Sequence, residues 1–231
     1  ASADPQLVSD ARHDMWAFLL QNLFRYPQAA LMVLALGIAS PPMISHDLRS
    51  RAYLIYFARP IGRIEYLLGK LGTLAFFLAM ITTVPALMFY LTGLMLSPDL
   101  SVAGETWDLP LRILGASAAL ILPTTSIALM FSSLTTESRY AGFAWYAFWI
   151  LGRVAYGVLT AGEFVRRHGE LPPDNWYAFY SPYHLLGVVQ TWIFNPASPP
   201  AHLNEALATV IGATVASLAV VSYRIGSPLR A

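Results

Sequence analysis

Long apolar runs separated by short polar stretches set the pattern of this chain. A helix needs about 20 mostly apolar residues to cross a hydrocarbon core of about 30 Å. Five stretches approach that length: Pro27 to Ile44, Leu71 to Leu96, Leu111 to Leu134, Tyr140 to Thr160 and Leu203 to Tyr223. The first is short and ends at Pro41-Pro42, so a buried helix is the alternative reading for it. No repeat of 20–50 residues and no linker divides the chain, which predicts one domain over 1–231. The expected fold is all-α, a polytopic transmembrane helical bundle.

Composition agrees with that pattern. Of the 231 residues, 56% are apolar and 12% are charged, against about 25% charged in a soluble domain. Too few charges remain to coat the surface, so much of it must face lipid. The formal net charge of +1 gives no pull toward nucleic acid, and the absence of cysteine excludes disulfides and thiolate chemistry.

Arginine and lysine in the connections orient the spans. Arg49, Arg51, Arg59, Arg63 and Lys70 follow the first span, whereas the 97–110 stretch carries Asp99, Glu105 and Asp108 and no basic residue. The first segment, the turn with Glu137 and Arg139, and the C-terminal Arg224 and Arg230 are therefore expected in the cytoplasm. The 97–110 and 161–202 connections are then outside, with Arg166 and Arg167 a mild exception. Residues 5–26 also fall outside, as an amphipathic helix on the membrane surface with Met15, Phe18, Leu19 and Leu23 toward lipid. A chain that begins outside without a signal peptide implies a sixth span upstream, in a longer parent protein.

The most informative segment is SHDLRSRAYLIYFARPIGRIEYLLGK, Ser45 to Lys70. Leu48, Ala52, Ile55 and Tyr56 can share one helical face while Arg49 and Arg51 lie elsewhere, which suits a short helix in the interface between Leu48 and Phe57. Arg59-Pro60 breaks it and opens the next helix. A basic loop obeying the charge rule is the plainer reading. The order of the parts goes further. An acidic residue after one span, a short amphipathic helix, R-P-I-x-R, then Y-L-L-G-K into the next span resembles the permease family of type-2 ABC transporters. The ALMFSSLTTESRYAG turn between the third and fourth spans is similar to the same family, and the YAFYSPYHLLGVVQTWIF segment resembles its Ser-Pro-containing re-entrant or external helices.

That resemblance implies a permease coupled to ATP hydrolysis on a separate ATP-binding cassette subunit. The 45–70 segment would be its coupling helix, with Asp47, Arg49, Arg51, Tyr53, Arg59, Pro60, Arg63, Gly69 and Lys70 at the matching positions. ATP and magnesium would belong to the partner subunit, with no cofactor on this chain. Further expected partners are a second permease chain, identical or related, and membrane lipids. The expected location is the plasma (inner) membrane, as a multi-pass protein. The proline-rich 161–202 connection departs from the family pattern.

No G-x-x-x-x-G-K-[ST] phosphate loop occurs, and Gly69-Lys70 reads as a helix start without a phosphate cradle. The five histidines are scattered without metal-ligand spacing, and no catalytic grouping of acid, base and nucleophile is visible. A lipid-modifying enzyme would need such groups to converge; a membrane scaffold would need none and is the other alternative. Arg153, deep in the fourth span, either contacts an anionic substrate or lipid headgroup or snorkels to the outer interface. Thr82, Thr83 and Pro85, with Pro123, Thr124, Thr125 and Ser126, either line a path or satisfy local backbone. Trp107, Trp145, Tyr146, Trp149, Trp176, Tyr177, Tyr180, Tyr183 and Trp192 read as an interfacial aromatic belt.

Overall fold

A computed structural model describes residues 5–50, 52, 62–97, 101–166 and 176–226, apart from the side chains of 5–8, 27 and 28. Five helical segments are long and apolar enough to cross a membrane: Ser9–Ser50, Arg63–Met95, Leu109–Leu134, Ser138–Arg166 and Leu203–Gly226. The described residues contain no strand, so the protein is an all-α polytopic bundle. Ile38, Met95 and Phe143 are 75%, 84% and 74% exposed on its flanks. Large apolar side chains held outward in this way suit lipid as the surrounding solvent.

The first column is longer than the apolar run that announces it. Helix α1 (Pro5–Leu23) passes through a π-helical turn (Phe24–Gln28) into α2 (Ala29–Ala39), and α3 (Pro41–Ser50) follows. Pro27 has no N–H to give to Leu23, and the wider turn absorbs the missing bond. Residues 5–26 are therefore not a separate helix lying on the membrane. Met15 and Phe18 do face outward, but Ala17, Leu20 and Phe24 are buried in the core and Leu23 packs against it. The helix has two apolar faces, and the bundle takes one of them. The α2–α3 bend falls at Ser40, whose hydroxyl and N–H both donate to Leu36 O, at 2.7 and 2.9 Å.

Helices α4 (Arg63–Ile81) and α5 (Thr83–Met95) form the second span, bent at Thr82. Pro85 cannot donate to Ile81, and the Thr82 hydroxyl donates to Leu78 O at 2.9 Å beside the break. A short helix, α6 (Ser101–Glu105), leads to α7 (Leu109–Leu134), the centre of the bundle. α7 packs on α3, α4, α5 and the last three helices, and it carries the largest share of buried residues. Helix α8 (Ser138–Arg166) lies across α2 and α3, where a Cβ added to Gly142 would sit 3.4 Å from Pro41 Cγ. A side chain at Gly37 would overlap the Tyr146 ring, so this contact depends on a bare backbone.

Two aromatic residues assigned to the belt belong to the core. Trp145 and Trp149 are 1% and 6% exposed, and Trp145 Nε1 donates to Val33 O at 2.9 Å. Hydropathy cannot separate an aromatic at the interface from one packed between helices at the same depth. Trp107, Trp176 and Tyr180 are exposed.

The 161–202 connection is not simply external. After α8, a 3₁₀ turn (Trp176–Tyr180) and α9 (Pro182–Phe194) precede α10 (Leu203–Gly226). A Cβ on Gly152 would lie 2.7 Å from Pro182 Cδ, so α9 begins beside Gly152. Gly152 is about 21 Å along α8 from its start, at 1.5 Å per residue. The far end of α9 returns to the first turn of α7, where Arg112 donates to Phe194 O. Helix α9 is thus re-entrant, with Leu185, Leu186, Val189 and Phe194 buried.

Candidate functional site

The bundle has a basic end, where α3, α4, the α7–α8 turn and the end of α10 meet. Asp47, in the last turns of α3, is buried. Lys70 Nζ lies 2.8 Å from its Oδ2, and the Tyr66 hydroxyl donates to the same oxygen at 2.6 Å. The two helices that flank residues 51–61 are thereby joined at their base. α4 starts at Arg63, so Gly69 and Lys70 lie two turns inside it rather than at its start. Its first turn is closed by Gly62 N–H donating to Glu65 Oε2 at 2.9 Å.

A second brace runs from α3 to the α7–α8 turn. Arg49 Nη1 lies 3.2 Å from Glu137 Oε1, and Arg139 adds a looser contact of 3.9 Å. Such exposed pairs are worth little individually, and Arg49 remains 64% exposed. Deeper, Ser132 of α7 donates to Pro41 O at 2.7 Å and accepts from Ile44 N and Ser45 N at 3.0 and 3.1 Å. It caps the N-terminus of α3 from another helix. Arg224 of α10 donates to Ser133 O and Leu134 O at 3.2 and 3.4 Å, covering the last carbonyls of α7. Arg63 is exposed beside Gly226, whose added Cβ would lie 2.6 Å from Arg63 Nη1.

Of the residues expected in coupling, Asp47, Arg49 and Arg63 gather at this end. Asp47 is occupied by internal partners, while Arg49 and Arg63 face outward. Arg51, Tyr53, Arg59 and Pro60, with most of the expected interfacial helix, lie outside the described residues. Tyr66 and Ser132 were not singled out in the sequence. A lone aspartate at the end of an apolar run, with a lysine on the next helix, was the available signal for the first brace.

The threonines of the expected path bond within their own helices. Thr124 and Thr125 donate to Leu120 O and Ile121 O at 2.6 and 2.7 Å, beside the bond that Pro123 cannot make. Thr82 does the same at the α4–α5 bend, and Thr83 opens α5. Thr124 also lines a cavity of about 250 Å³. Arg153 lies in a different one, about 510 Å³, between α2 and α8. It does not extend freely toward an interface: its guanidinium lies 4.6 Å from the centre of the Tyr183 ring.

At the opposite, acidic end, α1 is tied to the start of α7. Asp108 lies 3.0 Å from His13 Nε2 and 2.6 Å from Arg112 Nε, and Arg12 pairs with Glu105 at 3.3 Å. Burial alone would raise the Asp108 pKa, but the His13 hydrogen bond and the Arg112 and His13 charges outweigh it and hold it below the ordinary 3.8. A depressed carboxylate stabilises the fold above its unfolded pKa and loses that contribution as pH falls through the folded one. Acidification below about pH 4 is therefore expected to loosen α1 from the α6–α7 junction, following the ordinary aspartate range. Trp16, which packs edge-on against Phe89 and Tyr90, reports it by fluorescence; an acid transition unchanged in Asp108→Asn contradicts the assignment.

Among the described residues no group of three or more histidine, aspartate or glutamate side chains could hold a metal ion. No curated protein and no solved structure matches the chain. A family model described as ABC-2 family transporter protein matches residues 8–225. With its apolar helices and the ordered motifs between them, the chain belongs to the ABC-2 transporter family, as a multi-pass membrane component.

Proposed function

We propose that this chain is the permease subunit of an ATP-binding cassette exporter. A separate ATP-binding subunit, carrying ATP and magnesium, docks at the basic end, on the cytoplasmic side of the plasma membrane. Arg49, Arg51, Tyr53, Arg59, Pro60 and Arg63 supply the contact, and Asp47 holds its base. The observation that carries this reading is the Asp47–Lys70–Tyr66 brace. It makes α3 and α4, the helices on either side of residues 51–61 in the sequence, one unit. A push on that segment then moves two membrane helices together, as switching between inward and outward states requires.

Two such chains, identical or related, enclose the path. Thr82 and Thr83 belong to the α4–α5 bend, Thr124 and Thr125 face the interior that opens and closes, and Arg153 borders the path from the exposed α2–α8 groove. The test is co-purification of the ATP-binding subunit with the chain bearing Arg49→Glu, Arg51→Glu and Arg59→Glu. Each reversal replaces an attraction with a repulsion, and together they are expected to cut association at least tenfold, about 1.4 kcal/mol. Arg12→Glu, at the acidic end, serves as the control and leaves association unchanged. Full association and full ATPase stimulation in the triple variant contradict the reading.

A further inference from the structure

Two arginines away from the basic end meet on one aromatic ring. Arg12, Arg49, Arg112, Arg139 and Arg166 each face an acidic side chain. Among the described residues, Arg25 and Arg153 have no carboxylate within ion-pair distance. They meet instead on one ring: their guanidinium carbons lie 4.9 and 4.6 Å from the centre of Tyr183. Arg25 comes from the π-helical turn, Arg153 from α8 and Tyr183 from the first turn of α9. Gly187 of α9 is bare where a Cβ would occupy the place of the Arg25 guanidinium. Three elements and a glycine are thus arranged to bring two cations together on the flank of an apolar bundle, Arg153 exposed and Arg25 half-buried, at a depth where unpaired charge is costly.

The space around them has two characters. On one side the 510 Å³ cavity runs between α2 and α8, walled by Ala29, Ala30, Val33, Leu34 and Ile150, with Arg153 and Tyr183 at its head. On the other a cavity of about 380 Å³ holds Arg25 and polar groups from Tyr156, His184 and Thr191. Arg153 is about 22 Å along α8 from Ser138, at 1.5 Å per residue, which places the pair toward the acidic side of the bilayer.

We propose that Arg25 and Arg153 bind the anionic headgroup of a phospholipid-like amphiphile whose acyl chain lies in the groove between α2 and α8. The two guanidiniums supply forked donors for a phosphate, and the small residues of α2 leave room for a chain. The site stands on its own geometry; that the amphiphile is cargo rests on the permease reading above.

The test uses the full chain purified in nonionic detergent. Pyrene-labelled phosphatidylglycerol and phosphatidylcholine are compared by energy transfer from tryptophan, Trp149 being in the groove wall. The anionic probe binds more tightly, and Arg25→Gln and Arg153→Gln each weaken it about tenfold, the loss expected for hydrogen bonds to a charged group. The zwitterionic probe is unaffected. Arg153→Lys keeps the preference, which separates charge from folding. Ala30→Trp fills the groove and displaces the labelled lipid with both arginines intact.

Equal binding of the two lipids, or a preference surviving Arg25→Gln/Arg153→Gln, overturns the proposal. Displacement of the lipid by inorganic phosphate assigns the arginines to a free anion and overturns it too. Exclusion of the probe together with disulfide-linked dimers of Leu34→Cys, in a chain otherwise free of cysteine, assigns the groove to a second copy. None of these readouts uses ATP. Intact lipid preference with failed ATPase association refutes the transport reading alone, and the converse refutes the lipid alone.

Discussion

Replacing Trp145 with alanine is expected to destabilise the bundle by about 4 kcal/mol, in the range for large aromatic truncations in a packed core. Its ring is almost wholly buried between α8 and α2, 5.6 Å from the Trp149 ring. Its Nε1–H donates to Val33 O, 112 residues away in the chain. Truncation opens a cavity at the junction of the first and fourth spans and leaves that cross-helix bond unmade. The surrounding helices cannot collapse to fill it, because Gly37 and Tyr146 already hold α2 and α8 at closest approach. Unfolding of the detergent-purified chain by titrated denaturing detergent measures the loss. A lipid-facing belt tryptophan would cost far less, so a shift under about 1 kcal/mol contradicts the core assignment. Trp107→Ala, at an exposed position, provides that comparison.

The second large effect is at the basic end. Asp47→Ala is expected to cost about 3 kcal/mol, because removing one member of a buried ion pair strands the other. Lys70 is 23% exposed along its side chain, so partial escape to water keeps the loss at the lower end. The Tyr66 hydroxyl also loses its 2.6 Å bond to the carboxylate. The double variant Asp47→Asn/Lys70→Met leaves no stranded charge and is expected to cost much less than the sum of its parts. Additive costs across this double-mutant cycle contradict the brace. ATPase stimulation adds a functional reading. Asp47→Ala is expected to weaken coupling while the ATP-binding subunit still associates, because its carboxylate holds helices together and Arg49 remains to face the partner.

Five spans were readable from apolar run length because lipid imposes that length on each of them. Their ends and bends were less so. The first column extends back through Pro27 because a π turn can absorb a proline that hydropathy treats as a stop. For α9 the resemblance left re-entrant and external courses both open. A short apolar helix has the same composition whether it lies outside or folds back, and only its contact with bare Gly152 decides. Polar partnerships were the hardest to see. Asp47 was noticed as part of a motif, but its closure by Lys70 and Tyr66 depends on how two helices converge. Arg153 was noticed as a charge at depth; Arg25, in a stretch taken for a surface helix, was not. What joins them is Tyr183, more than 150 residues from Arg25 in the chain and grouped in the sequence with the interfacial belt.

The central claim is that the basic end receives the ATP-binding subunit. The chain is free of cysteine, so single cysteines at Ala52, within the 51–61 segment, and at Gly104, in α6, can carry a short photo-crosslinker. With the ATP-binding subunit co-expressed, Ala52→Cys is expected to crosslink to it, with a yield that changes on adding ATP, while Gly104→Cys gives none. Crosslinking from Gly104→Cys, with none from Ala52→Cys, would contradict both the orientation and the coupling assignment.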